Sequence, residues 1–439
     1  MMESDDGIQL PMEEGGDSKE SVFNKEVVCE YGGERIEGKE WLNTMSNVDI
    51  KVGPVDAANH LESGCKLLSS SLIKNVNALD KLFRDMRRIL ECKGLDCDDD
   101  DEQGEQFETT IFGRLLRVPN SEGEESFFLR QDSRAERTYL LDLRKAPKYS
   151  LFPGQFVVVK GSTNNKTILV REIDTPKCLA RPFLSETPNP SICLHIATVA
   201  GPFNRKGTID YSSLNGVLEY VSTFQPQVLL IIGPLIEVTE EMFDHDISEL
   251  FDQVLKKISD KLTQNTHAYV VSSPDEWNHA ISFPTPPYEG QSRHPRILFL
   301  PSPSLLNISG LILGISSVDI IYHMSKQIVE SKGIEGNRIE RLCRPIISHG
   351  SFYPLYPPNE SVSLEIPKYN YCSFKTTPHV MIIPSTFRNF IKNIDGCLFV
   401  NPERIRKGTM SRIRVKKSEN DNASSVIDSL RVEVFKVNK

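Results

Sequence analysis

Short segments that are apolar at nearly every position recur through the second half of the chain and alternate with segments of helical periodicity. They are ICLHIATVAGPF, QVLLIIGPLIEV, HAYVVSS, RILFLPSP, GLILGISS, HVMIIPS and DGCLFVNP. Continuously apolar strands are covered on both faces, which is typical of a sheet packed against helices. The clearest helix follows the second segment, with apolar residues on one side from Phe243 to Leu262. The pattern predicts an α/β domain over residues 186–439.

The strand ends of this predicted domain are where an α/β protein usually keeps its chemistry. A two-metal phosphoesterase needs Asp, His and Asn at such ends, to hold two metal ions and activate a water molecule. Neither glycine nor proline has a side chain that binds a metal ion. We therefore predict no catalytic residue, metal site or cofactor site, and interpret three pairs as positions of absent ligands: Gly201-Pro202, Gly233-Pro234 and Pro384-Ser385.

Other catalytic signatures are missing from the sequence. It contains no G-x-x-x-x-G-K-[ST] or G-x-G-x-x-G loop for phosphate and no G-x-S-x-G nucleophile turn. The nine cysteines include no C-x-x-C pair, so a zinc framework is not expected. Asp275 and His279 are the one pair near a strand end that is worth testing as an active site. His323 lies in an apolar helical segment, which favours a hydrogen-bonded core residue over a ligand.

The first 185 residues divide into three segments with different patterns. Residues 1–66 are polar and acidic without periodicity, which predicts a mostly disordered tail. Residues 67–105 predict an amphipathic helix followed by an acidic linker. Residues 106–185 contain five short strands rich in β-branched and aromatic residues, which fits a small barrel of the OB type. Basic residues only slightly outnumber acidic ones there, which favours packing or partner docking over DNA binding.

Charge and hydropathy limit the partners of the chain. It has 51 basic and 60 acidic residues and a formal net charge of −9. Because Lys and Arg supply most non-specific affinity for phosphates, an acidic chain is not expected to bind DNA by charge alone. No apolar stretch is long enough for a transmembrane helix, so no membrane association is predicted. The alternation in SRIRVKK, within the basic stretch Arg404–Lys417, favours an edge strand with outward charges over a nucleic-acid contact.

Blocks of the sequence follow one another in the order known from one protein family. Besides ATVAGPF and IIGPLIE, they are KYSLFPGQFVVVKG, FPTPPY, ILGISSVDIIYHMSK, SFYPLYPP and TPHVMIIPSTFRNFIKNIDGCLFVNPERIRKG. On these residues the chain resembles the B subunits of eukaryotic DNA polymerase alpha, over about Leu68 to Lys439. Two departures stand out. Residues 1–66 are too short and polar for the N-terminal helical domain of the family, and Val271–His279 diverges from its pattern.

The resemblance implies an OB barrel joined to a calcineurin-like phosphoesterase domain, a two-sheet α/β fold, that has lost its metal ligands. It also implies a nuclear, non-catalytic scaffold that binds the C-terminal domain of the catalytic polymerase subunit. The primase subunits belong to the same complex, which makes primers for DNA replication, and DNA contact would be indirect or weak. We expect partner contacts among exposed aromatic residues such as Tyr353, Tyr356 and Phe387, with core packing as the alternative for each.

Three other functions stay open on the sequence. The chain could be the equivalent subunit of polymerase delta or epsilon. It could be a degenerate but active metallophosphoesterase that uses His279. It could also bind single-stranded nucleic acid directly through the barrel, as many OB folds do.

Overall fold

Two large β-sheets, a closed β-barrel and five α-helices make up the described part of the chain. The computed structural model describes residues 26–33, 36, 38–42, 50–67, 71–91, 107–119, 125–131, 137–176, 194–277, 279–289, 293–415, 427 and 429–437. Within these residues no helix is both long and apolar enough to cross a lipid bilayer.

The elements before residue 177 belong to the N-terminal segment and the barrel. In chain order they are β1 (Val27–Tyr31), β2 (Val52–Pro54), α1 (Leu72–Glu91), β3 (Phe107–Pro119), β4 (Glu125–Arg130), β5 (Thr138–Asp142), β6 (Ser150–Leu151), β7 (Phe156–Asn164) and β8 (Thr167–Asp174).

The remaining elements form the α/β part. Its strands are β9 (Leu194–Ala200), β10 (Val228–Ile232), β11 (His267–Val271), β12 (Ser282–Phe283), β13 (Ile297–Leu300), β14 (Ser304–Ile308), β15 (Leu311–Ile315), β16 (Val329–Glu330), β17 (Ser363–Leu364), β18 (Val380–Ile382), β19 (Phe390–Ile394), β20 (Cys397–Asn401), β21 (Thr409–Val415) and β22 (Leu430–Lys436). Its helices are α2 (Ser212–Phe224), α3 (Ile247–Ser259), α4 (Ile320–Gln327) and α5 (Arg338–Ser348).

The two large sheets pack face to face and carry helices on their outer faces. One has the order β1-β22-β21-β9-β10-β11-β13 and the other β19-β20-β18-β15-β14-β2. Along β10, Leu230 and Ile232 belong to a core that contains residues of both sheets, whereas Leu229 and Ile231 pack with α2 and α3. Both faces of the strand are therefore covered, as its continuous apolar pattern predicted. This arrangement agrees with the predicted two-sheet α/β class.

A closed barrel of five strands, ordered β3-β4-β5-β8-β7, lies where the sequence predicted five strands. Leu115, Leu129 and Val157 are among the fully buried residues of its core. The predicted helix is present as α1, and its Phe83 packs against Phe112 on the barrel, with ring centroids 4.7 Å apart. The assignment to the OB type, the domain limits and the linker over residues 92–105 stay predictions, and the linker lies outside the described residues.

The barrel and the α/β part are joined through main-chain and side-chain contacts. Strand β6 pairs antiparallel with β16. Phe156 N, on the barrel, donates a hydrogen bond to His349 Nε2 (3.1 Å), at the end of α5. The guanidinium of Arg114 lies 4.5 Å from the ring centroid of Tyr356.

The prediction that residues 1–66 form a disordered tail is wrong for their described part. Strand β1 pairs with β22 at one edge of the seven-stranded sheet, and β2 pairs with β14 at one edge of the six-stranded sheet. Between them, Trp41 is fully buried. Strands this short show no periodicity, and their partners lie hundreds of residues away, so local sequence contains no signal for them. Residues 1–25 lie outside the described residues.

The prediction that SRIRVKK is an edge strand with outward charges is also wrong. Strand β21 lies inside the seven-stranded sheet, between β22 and β9. Arg412 is only 3% exposed, and its Nε and Nη2 donate to Glu433 Oε2 at 2.9 and 2.7 Å. Glu433 is fully buried and also accepts from Arg431 Nε (3.0 Å). Paired charges can be buried in a sheet, and alternation alone cannot distinguish them from solvated ones.

Candidate functional site at the strand ends

The turns after β9 and β10 pack against each other at the carboxyl ends of two neighbouring parallel strands. Gly201 N donates to the carbonyl oxygen of Ile232 (2.8 Å), and Gly233 N donates to that of Val271 (2.9 Å). A Cβ atom on Gly201 would lie 2.0 Å from the carbonyl oxygen of Pro234. The close approach of the two turns therefore requires glycine at this position.

A buried carboxylate holds the turn that follows Pro234. Glu276, in the loop after β11, is 3% exposed. It accepts hydrogen bonds from Leu235 N (2.6 Å), Ile236 N (3.2 Å) and the Tyr288 hydroxyl (2.9 Å). Burial raises the pKa of Glu276 to about 7, and the three donors partly oppose this shift. This carboxylate is thus committed to the protein's own donors.

The raised pKa of Glu276 predicts a pH dependence of stability. The unfolded chain releases this proton near the ordinary pKa of 4.5, and the folded chain at about 7, so the free energy of unfolding falls as pH rises between these values. The Glu276→Gln variant lacks this fall. Urea unfolding measures the difference in unfolding free energy between the variant and the parent. We expect this difference to change by up to about 3 kcal/mol from about pH 5 to about pH 8, in favour of the variant at high pH. The exposed Glu289→Gln control should follow the parent, and parallel curves for Glu276→Gln would contradict the assignment.

A guanidinium bridges the ends of the two large sheets. Arg404 Nη1 donates to the carbonyl oxygen of Gly233 (2.9 Å), and its Nη2 donates to that of Ser317 (3.0 Å). Gly233 follows β10 of one sheet and Ser317 follows β15 of the other. Burial lowers the pKa of Arg404, and the charges of Asp275 and Asp319 oppose this shift. A fixed cation therefore lies where the strand ends of both sheets meet.

The bridge made by Arg404 predicts a specific loss of stability. The Arg404→Met variant keeps much of the side-chain volume but leaves two carbonyl groups without their donor, so we expect a loss of about 2–3 kcal/mol in urea unfolding. Arg406, one-third exposed and ion-paired with Glu237, offers the matched control, and Arg406→Met should cost less than about 1 kcal/mol. Equal losses in the two variants would show that Arg404 makes no special bridge.

The turn after β18 is also fixed by side chains that accept main-chain hydrogen bonds. Ser385, which follows Pro384, is 1% exposed, and its N donates to Asn401 Oδ1 (2.9 Å). Asp319 caps α4 and accepts a further hydrogen bond from Thr386 N (2.7 Å). The amide and carboxylate at this end therefore hold the chain in place.

The residues at these strand ends do not fit a pair of metal ions. Such a pair needs several carboxylate and imidazole ligands that converge from neighbouring strand ends. Glu276 and Asp319 instead accept main-chain hydrogen bonds, and the cationic Arg404 lies between the sheets. Across the described ranges, no three His, Cys, Asp or Glu side chains are grouped so that they could hold a metal ion.

The two residues of the candidate pair, Asp275 and His279, lie in different surroundings. His279 Nε2 lies 2.7 Å from the carbonyl oxygen of Pro286, to which it donates, and its ring centroid lies 4.7 Å from that of Tyr288. Burial lowers the pKa of His279. Asp275 is exposed and its charge acts on Arg404. The His279 ring therefore contacts its own loop, whereas the Asp275 side chain is exposed.

A family model covers most of the α/β part. Residues 196–392 match the model that describes the B subunits of DNA polymerases alpha and epsilon. The chain belongs to this family of DNA polymerase alpha/epsilon B subunits. The matched range contains both Gly-Pro turns, Glu276 and the Pro384-Ser385 turn, whereas Arg404 lies just beyond it.

Curated relatives from several eukaryotes are similar to this family member. The chain is 30% identical to the B subunit of DNA polymerase alpha from Drosophila melanogaster over 312 residues, which are 68% of this chain and 50% of that protein. It is 28% identical to the protein of the same name from Mus musculus, over 61% of this chain and 47% of that protein. The Schizosaccharomyces pombe protein is 26% identical, over 65% and 55%. The chain thus spans about half the length of the curated relatives it matches.

One solved structure aligns with this family member at low similarity. A Thermus thermophilus protein aligns over 56% of this chain and 100% of its own length, at 11% identity and a TM-score of 0.26. A likeness of this strength has no bearing on fold or function.

The aromatic residues expected to contact partners lie in three different settings. Tyr353 is fully buried, so its prediction as an exposed contact is wrong: its hydroxyl lies 3.2 Å from His323 Nδ1 inside the core. The same contact confirms His323 as a hydrogen-bonded core residue. Tyr356 is half-buried under Arg114, and Phe387 is half-buried near Tyr322, so these two stay candidates.

Two site residues were missed by sequence reasoning. Glu276 is next to Asp275, which was a candidate from the sequence. The burial of Glu276, however, depends on its contacts with the turn after β10. Arg404 lies inside the longest block of family resemblance, and this position could have marked it as a site residue. Its position in a run of basic residues instead suggested a surface contact.

Proposed function

We propose that this chain is a non-catalytic scaffold subunit of DNA polymerase alpha–primase that works in the nucleus. It binds the C-terminal domain of the catalytic polymerase subunit and meets the primase subunits through the complex. In that assembly it supports primer synthesis at the start of DNA replication, and its own contact with DNA is indirect or weak.

The proposal rests on one observation: in this family member, the residues at the strand ends serve packing and main-chain hydrogen bonding. Gly201, Gly233 and Ser385 serve the close packing of turns, and Arg404 lies between the sheets. The described side chains at these ends are committed to main-chain hydrogen bonds, which supports a fold retained for its shape. Interfaces between permanent partners typically exceed about 2,000 Å², an area that a two-sheet domain joined to a barrel can provide.

The equivalent subunit of another replicative polymerase is the second candidate. The description of the matching family model names epsilon beside alpha. The relatives reported above are named as subunits of polymerase alpha, which favours the first assignment.

Recovery of bound chains separates these assignments. The tagged full chain is expressed in its own cells, purified under mild conditions, and its partners are identified by mass spectrometry. We expect the alpha catalytic subunit and both primase subunits in near-equal amounts. Recovery of an epsilon or delta catalytic subunit in their place would refute the assignment to alpha. A chain recovered without any polymerase subunit would refute the scaffold function.

A further inference from the structure

Two exposed aromatic side chains contact each other in the loops that follow β10 and β11. Phe243 is 56% exposed and Trp277 is 57% exposed, and their ring centroids are 5.3 Å apart. Most of each ring contributes nothing to the core. Large exposed aromatic side chains that pair with each other are typical of binding hot spots.

The two rings are mounted on loops that share one anchor. Trp277 directly follows Glu276, whose carboxylate accepts hydrogen bonds from Leu235 N and Ile236 N. These two residues begin the loop that contains Phe243, and Asn204 Oδ1 accepts from Glu237 N (2.8 Å) one residue later. The rings are therefore held together before any partner arrives, which lowers the entropic cost of binding.

The surroundings of the rings are acidic. The loop over residues 237–246 has no Lys or Arg and five acidic residues: Glu237, Glu240, Glu241, Asp244 and Asp246. Glu237 is ion-paired with Arg406 and Asp246 caps α3, so the negative charge near the rings comes from the other acids. Asp244 directly follows Phe243, and Asp275 precedes Trp277 by two positions; both acids are exposed. Carboxylates around an aromatic pair repel the phosphates of nucleic acid and attract cationic side chains. Arginine satisfies both features, because its guanidinium stacks on aromatic faces and pairs with carboxylates.

We propose that Phe243 and Trp277 form a docking surface for an arginine-containing, basic peptide segment of a protein partner. Guanidinium groups of the segment stack on the two rings, and Asp244 and Asp275 pair with its charges. The surface is separate from Tyr356 and Phe387, the candidate contacts named above.

The test measures the affinity of the full chain for a defined probe. The probe is a dye-labelled 12-residue peptide of alternating Arg and Ala, followed by fluorescence anisotropy at low salt. We expect binding to weaken about threefold in Phe243→Ser or Trp277→Ser and about tenfold in the double variant. Asp244→Asn with Asp275→Asn should weaken it about threefold, and added salt should reduce that difference.

Matched controls distinguish binding of the probe at this surface from general attraction of a basic peptide to an acidic protein. Leu298→Ser removes another exposed apolar side chain, and Glu219→Gln with Asp260→Asn removes two exposed charges on α2 and after α3. Both controls should bind the probe as the parent does. The proposal is overturned if controls and ring variants lose affinity equally, or if an alternating Glu and Ala peptide binds as tightly. It is also overturned if the ring variants lose binding of a single-stranded oligonucleotide or self-association instead.

Discussion

The Glu433→Ala variant is expected to lose about 3–5 kcal/mol of unfolding free energy, since it leaves the guanidinium groups of Arg412 and Arg431 buried beside each other without their shared carboxylate. Arg412 is 3% exposed and Arg431 is 6% exposed, so water cannot replace the lost partner. Urea unfolding of the full chain measures the loss.

The neighbouring surface pair supplies a control of the same chemistry. Lys436, on the same strand, contacts Glu26 at 3.0 Å, and both side chains are more than half exposed. Glu26→Ala should therefore cost less than about 1 kcal/mol. Glu433→Gln keeps hydrogen-bonding capacity without the charge and should fall between the two. A loss at Glu433 no larger than at Glu26 would contradict the buried network.

The Trp41→Ala variant is expected to lose about 3–5 kcal/mol, because Trp41 is fully buried and its removal leaves a large cavity between the N-terminal segment and the sheet. The guanidinium of Arg412 lies 4.1 Å from its ring centroid, and the His195 ring lies 5.3 Å away. The same measurement tests whether residues 26–42 are part of the folded domain.

The second tryptophan of the chain is the matched control for this prediction. Trp277 is 57% exposed, so Trp277→Ala should cost less than about 1 kcal/mol. Because Trp41 and Glu433 both contact Arg412, the double variant should lose less than the sum of the single losses. Equal small losses at the two tryptophans would indicate that the segment around Trp41 belongs to the disordered tail that the sequence predicted.

The α/β part was predictable because its signal is local and repeated. Each strand such as β10 is apolar on both faces, which follows from the helices on one side and the second sheet on the other. The pairing of β1 and β2 was not predictable, since five and three residues join strands that lie far along the chain. Arg412 was misplaced for a related reason: its partner Glu433 lies on the next strand, beyond a loop, and local alternation cannot reveal it.

The positions of the two Gly-Pro turns were predictable from the sequence, but the contacts that build the site were not. Gly201-Pro202 and Gly233-Pro234 could be identified as strand ends, because each pair directly follows a continuously apolar segment. The roles of Glu276 and Arg404 depend on contacts across 41 and 171 residues of chain. Such contacts follow from the fold, and a single sequence does not specify them.

We propose that the strand ends hold the fold together and do not support a reaction. Hydrolysis of a phosphodiester by the purified full chain with added Mn²⁺ tests it most directly, because two-metal phosphoesterases act on this class of bond. We expect no turnover above a blank without protein and no change when His279→Ala is compared with the parent. Turnover that requires Mn²⁺ and is abolished by His279→Ala would contradict the account.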